Sequence, residues 1–169
     1  MILALDPSLS CIGWAVMPLN ASAVVEYGAY RPSYGSPGGG NLDEKLWDAY
    51  CWLRWLLDSE GRGENITALA FEMPVVYRNP AITIKLAQLV GVLRVAAFDW
   101  VEQTVEINPG GRLAAFGLPV NLKRPVAKER VIAHVNQRYR LELKPREHDV
   151  ADAIAVGFAA TIKLARELW

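Results

Sequence analysis

Four carboxylate side chains stand at positions where solubility alone would not place them. Asp6 ends the apolar segment 2–5, and Glu72 ends a second apolar segment. Because open α/β sheets form their sites at the carboxyl ends of strands, we expect these two side chains to share one edge. Asp149 and Asp152 are three residues apart in an apolar helical segment, so they share one helix face. The sequence therefore predicts a cluster of four acids.

Such a cluster calls for a compensating cation. Ionised carboxylates are too costly to leave isolated in a low-dielectric environment, and the sequence offers no obvious fixed cation beside them. All-oxygen ligands without a cysteine or histidine cluster favour Mg²⁺ or Mn²⁺ over Zn²⁺. Purely structural roles for the individual acids stay open. Asp6 could form a turn, Glu72 could pair with Arg78, and Asp149 and Asp152 could be acids that favour the N-terminus of a helix. His148 is either a ligand or base, or a solvated capping residue.

Hydrophobic periodicity predicts the elements that must position these acids. Five strands are expected, near residues 2–5, 11–17, 23–30, 66–71 and 104–107. Four helices are expected, over 41–61, over 80–103, from Pro125 with a stripe of Val126, Ile132 and Val135, and over 147–168. Asn41 and Glu44 have the spacing of an N-cap pair. The order predicts one α/β domain over residues 1–169, a five-stranded mixed sheet flanked by helices on both faces.

The segment from Pro80 carries apolar residues on nearly every side of its helix. One side would cover the sheet and another would contact a partner chain, which predicts a homodimer. No apolar run approaches the roughly 20 residues of a bilayer span, and the N-terminus does not resemble a secretory signal. Cys11 and Cys51 form no disulfide framework. We therefore expect a cytoplasmic protein without a membrane partner.

Charge is distributed unevenly in a chain whose net charge is +0. Residues 1–60 hold three Lys and Arg against seven acids, whereas residues 106–146 hold nine against three. A local basic segment is what a phosphate-binding face needs, because fields are screened beyond roughly 8–10 Å. The same residues are equally compatible with an ordinary solvated face.

Taken in order, the motifs resemble the RuvC family of Holliday-junction resolvases, which have an RNase H-like fold. The anchors are ILALDPSLSCIGW over 2–14, AFE over 70–72, residues 79–91, PVAK over 125–128 and DVADAIA over 149–155. The loop 33–40 and the Lys123–Arg124 insertion are closer to a phage or mobile-element relative. The resemblance implies a homodimer that binds a four-way DNA junction and nicks two strands of like polarity with two Mg²⁺, for which Mn²⁺ would substitute.

The resemblance also assigns residues. It implies that the metal ligands and catalytic acids are Asp6, Glu72, Asp149 and Asp152, and that Lys128 lies near the scissile phosphate. The family's junction wedge aligns with Val75, and Tyr77 two places later is our candidate for stacking on a base. Side chains expected to contact the DNA backbone are Arg78, Arg112, Lys123, Arg124, Lys128 and Arg130.

Three other classes compete with this interpretation. An actin-like or sugar-kinase ATP-binding fold is disfavoured, because it needs two lobes and further glycine-rich phosphate loops. A junction-binding protein without chemistry is disfavoured, because all four carboxylates are present. Another RNase H-like nuclease acting on branched DNA or flaps is the closest competitor.

Overall fold

The computed structural model describes residues 1–32, 40–74, 79–108 and 110–167. In these ranges the strands are β1 (Ile2–Asp6), β2 (Ile12–Met17), β3 (Glu26–Tyr30), β4 (Ala68–Glu72) and β5 (Gln103–Ile107). The helices are α1 (Leu42–Asp58), α2 (Pro80–Ala97), α3 (Gly111–Ala115), α4 (Arg124–Tyr139) and α5 (His148–Glu167). Two short 3₁₀ helices, Ser59–Asn65 and Pro145–Glu147, precede β4 and α5.

The five strands form one mixed sheet in the order β3-β2-β1-β4-β5. Strands β2 and β3 are antiparallel neighbours, β2 is also antiparallel to β1, and β1, β4 and β5 run parallel. Leu5 pairs with Phe71, so the strands β1 and β4 reach the same edge one residue later, at Asp6 and Glu72. The predicted α/β class, mixed sheet and shared edge of these two acids are confirmed.

Alternation along the central strands divides the core into two layers. One face of the sheet packs against α1 and α2 through Leu3, Leu5, Leu69 and Phe71. The other face packs against α5 through Ile2, Ala4, Ala68 and Ala70. Because successive side chains on a strand point to opposite faces, Asp6 and Glu72 follow Ala4 and Ala70 toward α5. The two strands therefore aim both carboxylates at the helix that carries the other two.

Helix ends follow local capping. At the start of α1, the Glu44 N–H donates to Asn41 Oδ1 over 3.0 Å, and the Asn41 N–H donates to Glu44 Oε2 over 2.9 Å. This confirms the predicted N-cap pair. The expectation that α2 continues to Gln103 is wrong, because the N–H groups of Phe98 and Trp100 bond three residues back and close the helix after Ala97.

The expected buried stripe of α4 needs correction. The buried stripe of α4 is Ala127, Val131 and Val135, whereas Val126 is 38% exposed, because Val126 lies one helix position away from that stripe.

Helix α2 spans 18 residues with a mean hydropathy of 1.4, and 28% of that span is buried. By length and composition it could cross a membrane, a test that the core helix of a soluble protein also passes.

Candidate active site

The four predicted acids converge where β1 and β4 end beneath the start of α5. Asp152 is 4% exposed, and Asp6, Glu72 and Asp149 are half-buried. Asp149 and Asp152 lie in the first two turns of α5, on the side that meets the sheet. The structure thus brings together side chains that are separated by up to 146 positions in the chain.

Gly13 lets α5 approach the sheet this closely. It pairs with Asp6 across β1 and β2. A Cβ atom built on Gly13 would lie 2.0 Å from the backbone oxygen of Asp149. Since backbone cannot yield as a flexible side chain can, only glycine fits here without moving the helix. Gly13 belongs to the motif over residues 2–14, but that motif alone does not predict this close approach.

Arg112 lies inside the cluster, which corrects the expectation that no fixed cation stands beside the acids. Its guanidinium donates through Nη1 to Glu72 Oε2 and through Nε to Asp152 Oδ1, the latter over 3.2 Å. The other oxygen of Glu72 accepts the backbone N–H of Gly110 over 3.0 Å. A sequence signal existed, because Gly110, Gly111 and Arg112 follow β5 at the same sheet edge as Glu72.

Burial and mutual repulsion make the cluster electrostatically costly. Burial, with the neighbouring charge of Asp152, raises the pKa of Asp6 to about 8. Burial also raises the pKa values of Glu72 and Asp152, against the opposing effect of Arg112. Burial works against the charge of Arg112 itself, but the surrounding carboxylates outweigh it and raise the pKa of that guanidinium. The negative charge therefore exceeds what Arg112 alone compensates.

Three other side chains border the acids. Lys128 is half-buried on α4, and its charge adds to that of Arg112 in opposing the raised pKa of Asp152. His148 Nε2 lies 3.1 Å from Asp149 Oδ1. Burial, with a hydrogen bond to Asp149, raises the pKa of the Cys11 thiol to about 11, so Cys11 stays protonated at neutral pH. Cys11 is therefore a hydrogen-bonding neighbour of the acid, not a nucleophile.

The remaining predicted DNA contacts separate into two groups. Lys123 is the N-cap residue of α4, Arg124 is its first residue, Arg130 lies nearly two turns further along, and all three side chains are exposed. Arg124 lies one turn before the half-buried Lys128 on the same side of α4, whereas Arg130, two residues after Lys128, lies on another side of the helix. The wedge candidates Val75 and Tyr77, the phosphate contact Arg78 and all of the loop 33–40 except Gly40 lie outside the described residues.

The donor set of the cluster fits a hard divalent cation. All of its donor atoms are carboxylate oxygens, and three of the four acids have raised pKa values, which is what an added cation would reverse. Within the described ranges, no three His, Cys, Asp or Glu side chains are already grouped closely enough to hold an ion. The guanidinium of Arg112 lies between two of the carboxylates instead.

Solved structures share this architecture. The chain is similar to Thermus thermophilus RuvC in complex with a Holliday junction substrate, with a TM-score of 0.75 and 20% identity over 98% of this chain and 94% of that one. A second Thermus thermophilus RuvC structure matches with a TM-score of 0.75 and 19% identity, over 98% of this chain and 96% of that one. The yeast mitochondrial Holliday junction resolvase Ydc2 matches with a TM-score of 0.55 and 11% identity, over 99% of this chain and 82% of that one. The fold is therefore RNase H-like.

Residues 2–160 match the family model of crossover junction endodeoxyribonuclease RuvC. The chain belongs to this family, whose members are divalent-metal-dependent nucleases that resolve Holliday junctions in DNA recombination and repair. No curated protein sequence matches it.

Proposed function

We propose that this chain resolves four-way DNA junctions by symmetric nicks, with phosphodiester hydrolysis at Asp6, Glu72, Asp149 and Asp152. One observation carries the assignment: strands β1 and β4 and helix α5 aim four carboxylates at one place, although burial raises the pKa values of three of them. Proteins rarely keep such a costly arrangement for stability, and perturbed acids in one place are typical of functional sites.

The same four residues would hold two Mg²⁺ ions, which Mn²⁺ would replace. Bound there, such ions activate water and stabilise the leaving oxygen in phosphodiester hydrolysis. Gly13 fixes the distance of Asp149 from the sheet, and the Gly110 N–H fixes the orientation of Glu72. The protein's own contribution is therefore to hold the carboxylates in place before substrate arrives.

Basic residues of α4 would hold the DNA. Lys128, which is half-buried and close enough to act on Asp152, would neutralise charge on the scissile phosphate. Lys123, Arg124 and Arg130 are exposed along the same helix and would follow the backbone. Base stacking by Tyr77 and phosphate contact by Arg78 remain predictions.

A second copy of the chain would cover the free face of α2. The exposed apolar residues of this face include Ile84 and Val95, and Phe98, the residue directly after α2, is 79% exposed. Exposed Ala87 and Gly91 lie on the same side, and a Cβ atom on Gly91 would meet nothing within 4 Å. This face suits close packing against another helix, and two-fold pairing would match the symmetry of a junction. In such a cytoplasmic homodimer, the apolar face of α2 would pack against the partner chain and not against a membrane.

Cleavage of defined substrates tests the proposal. The purified chain is incubated with Mg²⁺ and a mobile four-way junction, a flap, an RNA–DNA hybrid or linear duplex. We expect paired nicks in the junction alone. Equal cleavage of flaps or hybrids would indicate another RNase H-like nuclease, and junction binding without cleavage in Mg²⁺ or Mn²⁺ would indicate a binding protein.

Acid variants test the assignment of residues. Asp6→Asn, Glu72→Gln and Asp152→Asn should each abolish nicking while junction binding stays largely intact, because phosphate contacts supply most of the affinity. Asp99→Asn is the matched control, since its carboxylate is 65% exposed and pairs with Arg54 on the surface. Near-wild-type cleavage by one of the three acid variants would remove that residue from the site.

A further inference from the structure

Arg112 lies inside the acid cluster, between two of the carboxylates that the proposed function takes as metal ligands. Its guanidinium bonds Glu72 on β4 and Asp152 on α5, and its side chain is only 20% exposed. Those two carboxylates come from different elements, so a single guanidinium ties the sheet edge to the helix. Guanidinium stays charged at every physiological pH and its planar donors suit carboxylates, which makes this a strong contact.

The contact uses oxygen atoms of two proposed metal ligands. Glu72 Oε2 and Asp152 Oδ1 both accept from Arg112, and Glu72 Oε1 already accepts the Gly110 N–H. A divalent ion bound between these carboxylates would meet the guanidinium at contact distance, where like charges repel strongly. Arg112 and the ion therefore compete for one place.

The helix that carries Arg112 is anchored to the core by the residue that follows Arg112. Helix α3 is five residues long and lies between Gly110 and Gly117, both with positive φ. Leu113 in this helix is buried in the core cluster that includes Ala151 and Ile154 of α5. The Arg112 side chain is long and flexible enough to leave the carboxylates while α3 stays in place.

We propose that Arg112 is the resident counter-cation of the metal-free site and that divalent ions must displace it from Glu72 and Asp152 in order to bind. The inference rests on the proposed function, since it takes these two acids as metal ligands. Arg112 stabilises the metal-free fold and weakens metal binding. Ions therefore bind only when the free energy gained by coordination exceeds the free energy of the Arg112 contact. Once displaced, the guanidinium is free to meet a phosphate of the DNA.

Metal titration without DNA tests this directly. MnCl₂ is added to wild type and to Arg112→Gln, and free Mn²⁺ is measured by electron paramagnetic resonance, which needs no cleavage. We expect the Kd for Mn²⁺ to fall about tenfold or more in the variant, since it loses a cation in direct contact with two ligands. The metal-free Tm should fall by about 5 °C or more, because a buried pair is broken, and Mn²⁺ should restore it.

Arg94→Gln is the matched control. It removes the same charge from a surface pair, Arg94 with Glu106 at 3.0 Å, and should leave the Kd for Mn²⁺ unchanged within about twofold. If Arg112→Gln does not fold without metal, Arg112→Lys is titrated instead. It keeps the charge but loses the planar fork, and its Kd should fall by about threefold.

The outcomes separate the inference from the proposed function. Equal Kd values for wild type and the Arg112 variant, with both binding Mn²⁺, would overturn the counter-cation role and leave the metal site standing. Weaker binding by the variant would make Arg112 a supporting residue of the metal site and would also overturn the inference. Failure of wild type and variant alike to bind Mn²⁺ at millimolar concentration would overturn both.

Discussion

Replacement of Asp6 by asparagine should stabilise the metal-free protein while it abolishes cleavage. Burial, followed by the charge of Asp152, raises the pKa of Asp6 from 3.8 to about 8. A carboxyl group whose pKa is higher in the folded state stabilises the fold below the pKa of the unfolded chain. That contribution is lost as pH rises toward the folded pKa. Asparagine has nearly the same shape and stays neutral, so it should keep the contribution at every pH.

The shift in pKa sets the size of the effect. One pKa unit corresponds to about 1.4 kcal/mol, so a rise from 3.8 to about 8 limits the cost of ionised Asp6 to about 5–6 kcal/mol at pH 8 and above. We expect Asp6→Asn to recover at least about 2 kcal/mol there, which is about 4–8 °C in Tm for a chain of this length. The gain should shrink as pH falls from 8 toward 4.

Thermal unfolding in EDTA between pH 5 and pH 9 measures the effect. When Mg²⁺ is added in excess of the EDTA, it should stabilise wild type and have much less effect on Asp6→Asn, because that variant lacks one metal ligand. Asp99→Asn removes an exposed carboxylate and should change the unfolding free energy by less than about 1 kcal/mol. A Tm for Asp6→Asn at or below that of wild type at pH 8 would refute the view that the cluster destabilises the metal-free fold.

Three further results are expected. Gly13→Ala should lower the Tm by about 6 °C or more, because its Cβ would lie 2.0 Å from the Asp149 backbone oxygen, and an unchanged Tm would contradict that close approach. Phe98→Asp should shift the sedimenting mass from twice 18.7 kDa to 18.7 kDa, and a monomeric wild type would refute the α2 dimer. Lys128→Ala should lower the cleavage rate by about 100-fold with little loss of junction affinity, whereas Arg130→Ala should mainly lower affinity and reduce the salt slope by about 0.9. Equal losses of affinity in both variants would make Lys128 a backbone contact.

The acids of the site could be predicted because each follows from a local pattern. Asp6 and Glu72 end short apolar strands, and the spacing of Asp149 and Asp152 places both on one helix face. Strand alternation then determines which face of the sheet receives the strand acids. These are short-range rules, and they were sufficient for the fold class and the position of the cluster.

The cation in the cluster could not be predicted in the same way. Helix α3 is too short for periodicity to reveal, and its position depends on two glycines with positive φ and on packing of Leu113 against α5. The basic segment suggested that Arg112 contacts phosphate, yet the structure directs its guanidinium to Glu72 and Asp152. Charge composition located the residue in a basic region without revealing which anions it meets.

Close approach of α5 to the sheet links the stability of the fold to its chemistry. A Cβ atom on Gly157 would lie 3.0 Å from the Cβ of Ala4 and 2.6 Å from the sulfur of Met17, just as a Cβ on Gly13 would meet the start of the helix. Small residues at these contacts let α5 lie directly on β1 and β2, which buries its apolar face. The same contact presses the helical acids against the strand acids. The apolar packing of α5 therefore offsets the repulsion between the acids of the cluster. Larger residues at Gly13 or Gly157 would lower that repulsion only by moving α5 away from the sheet, which would separate the helical acids from the strand acids.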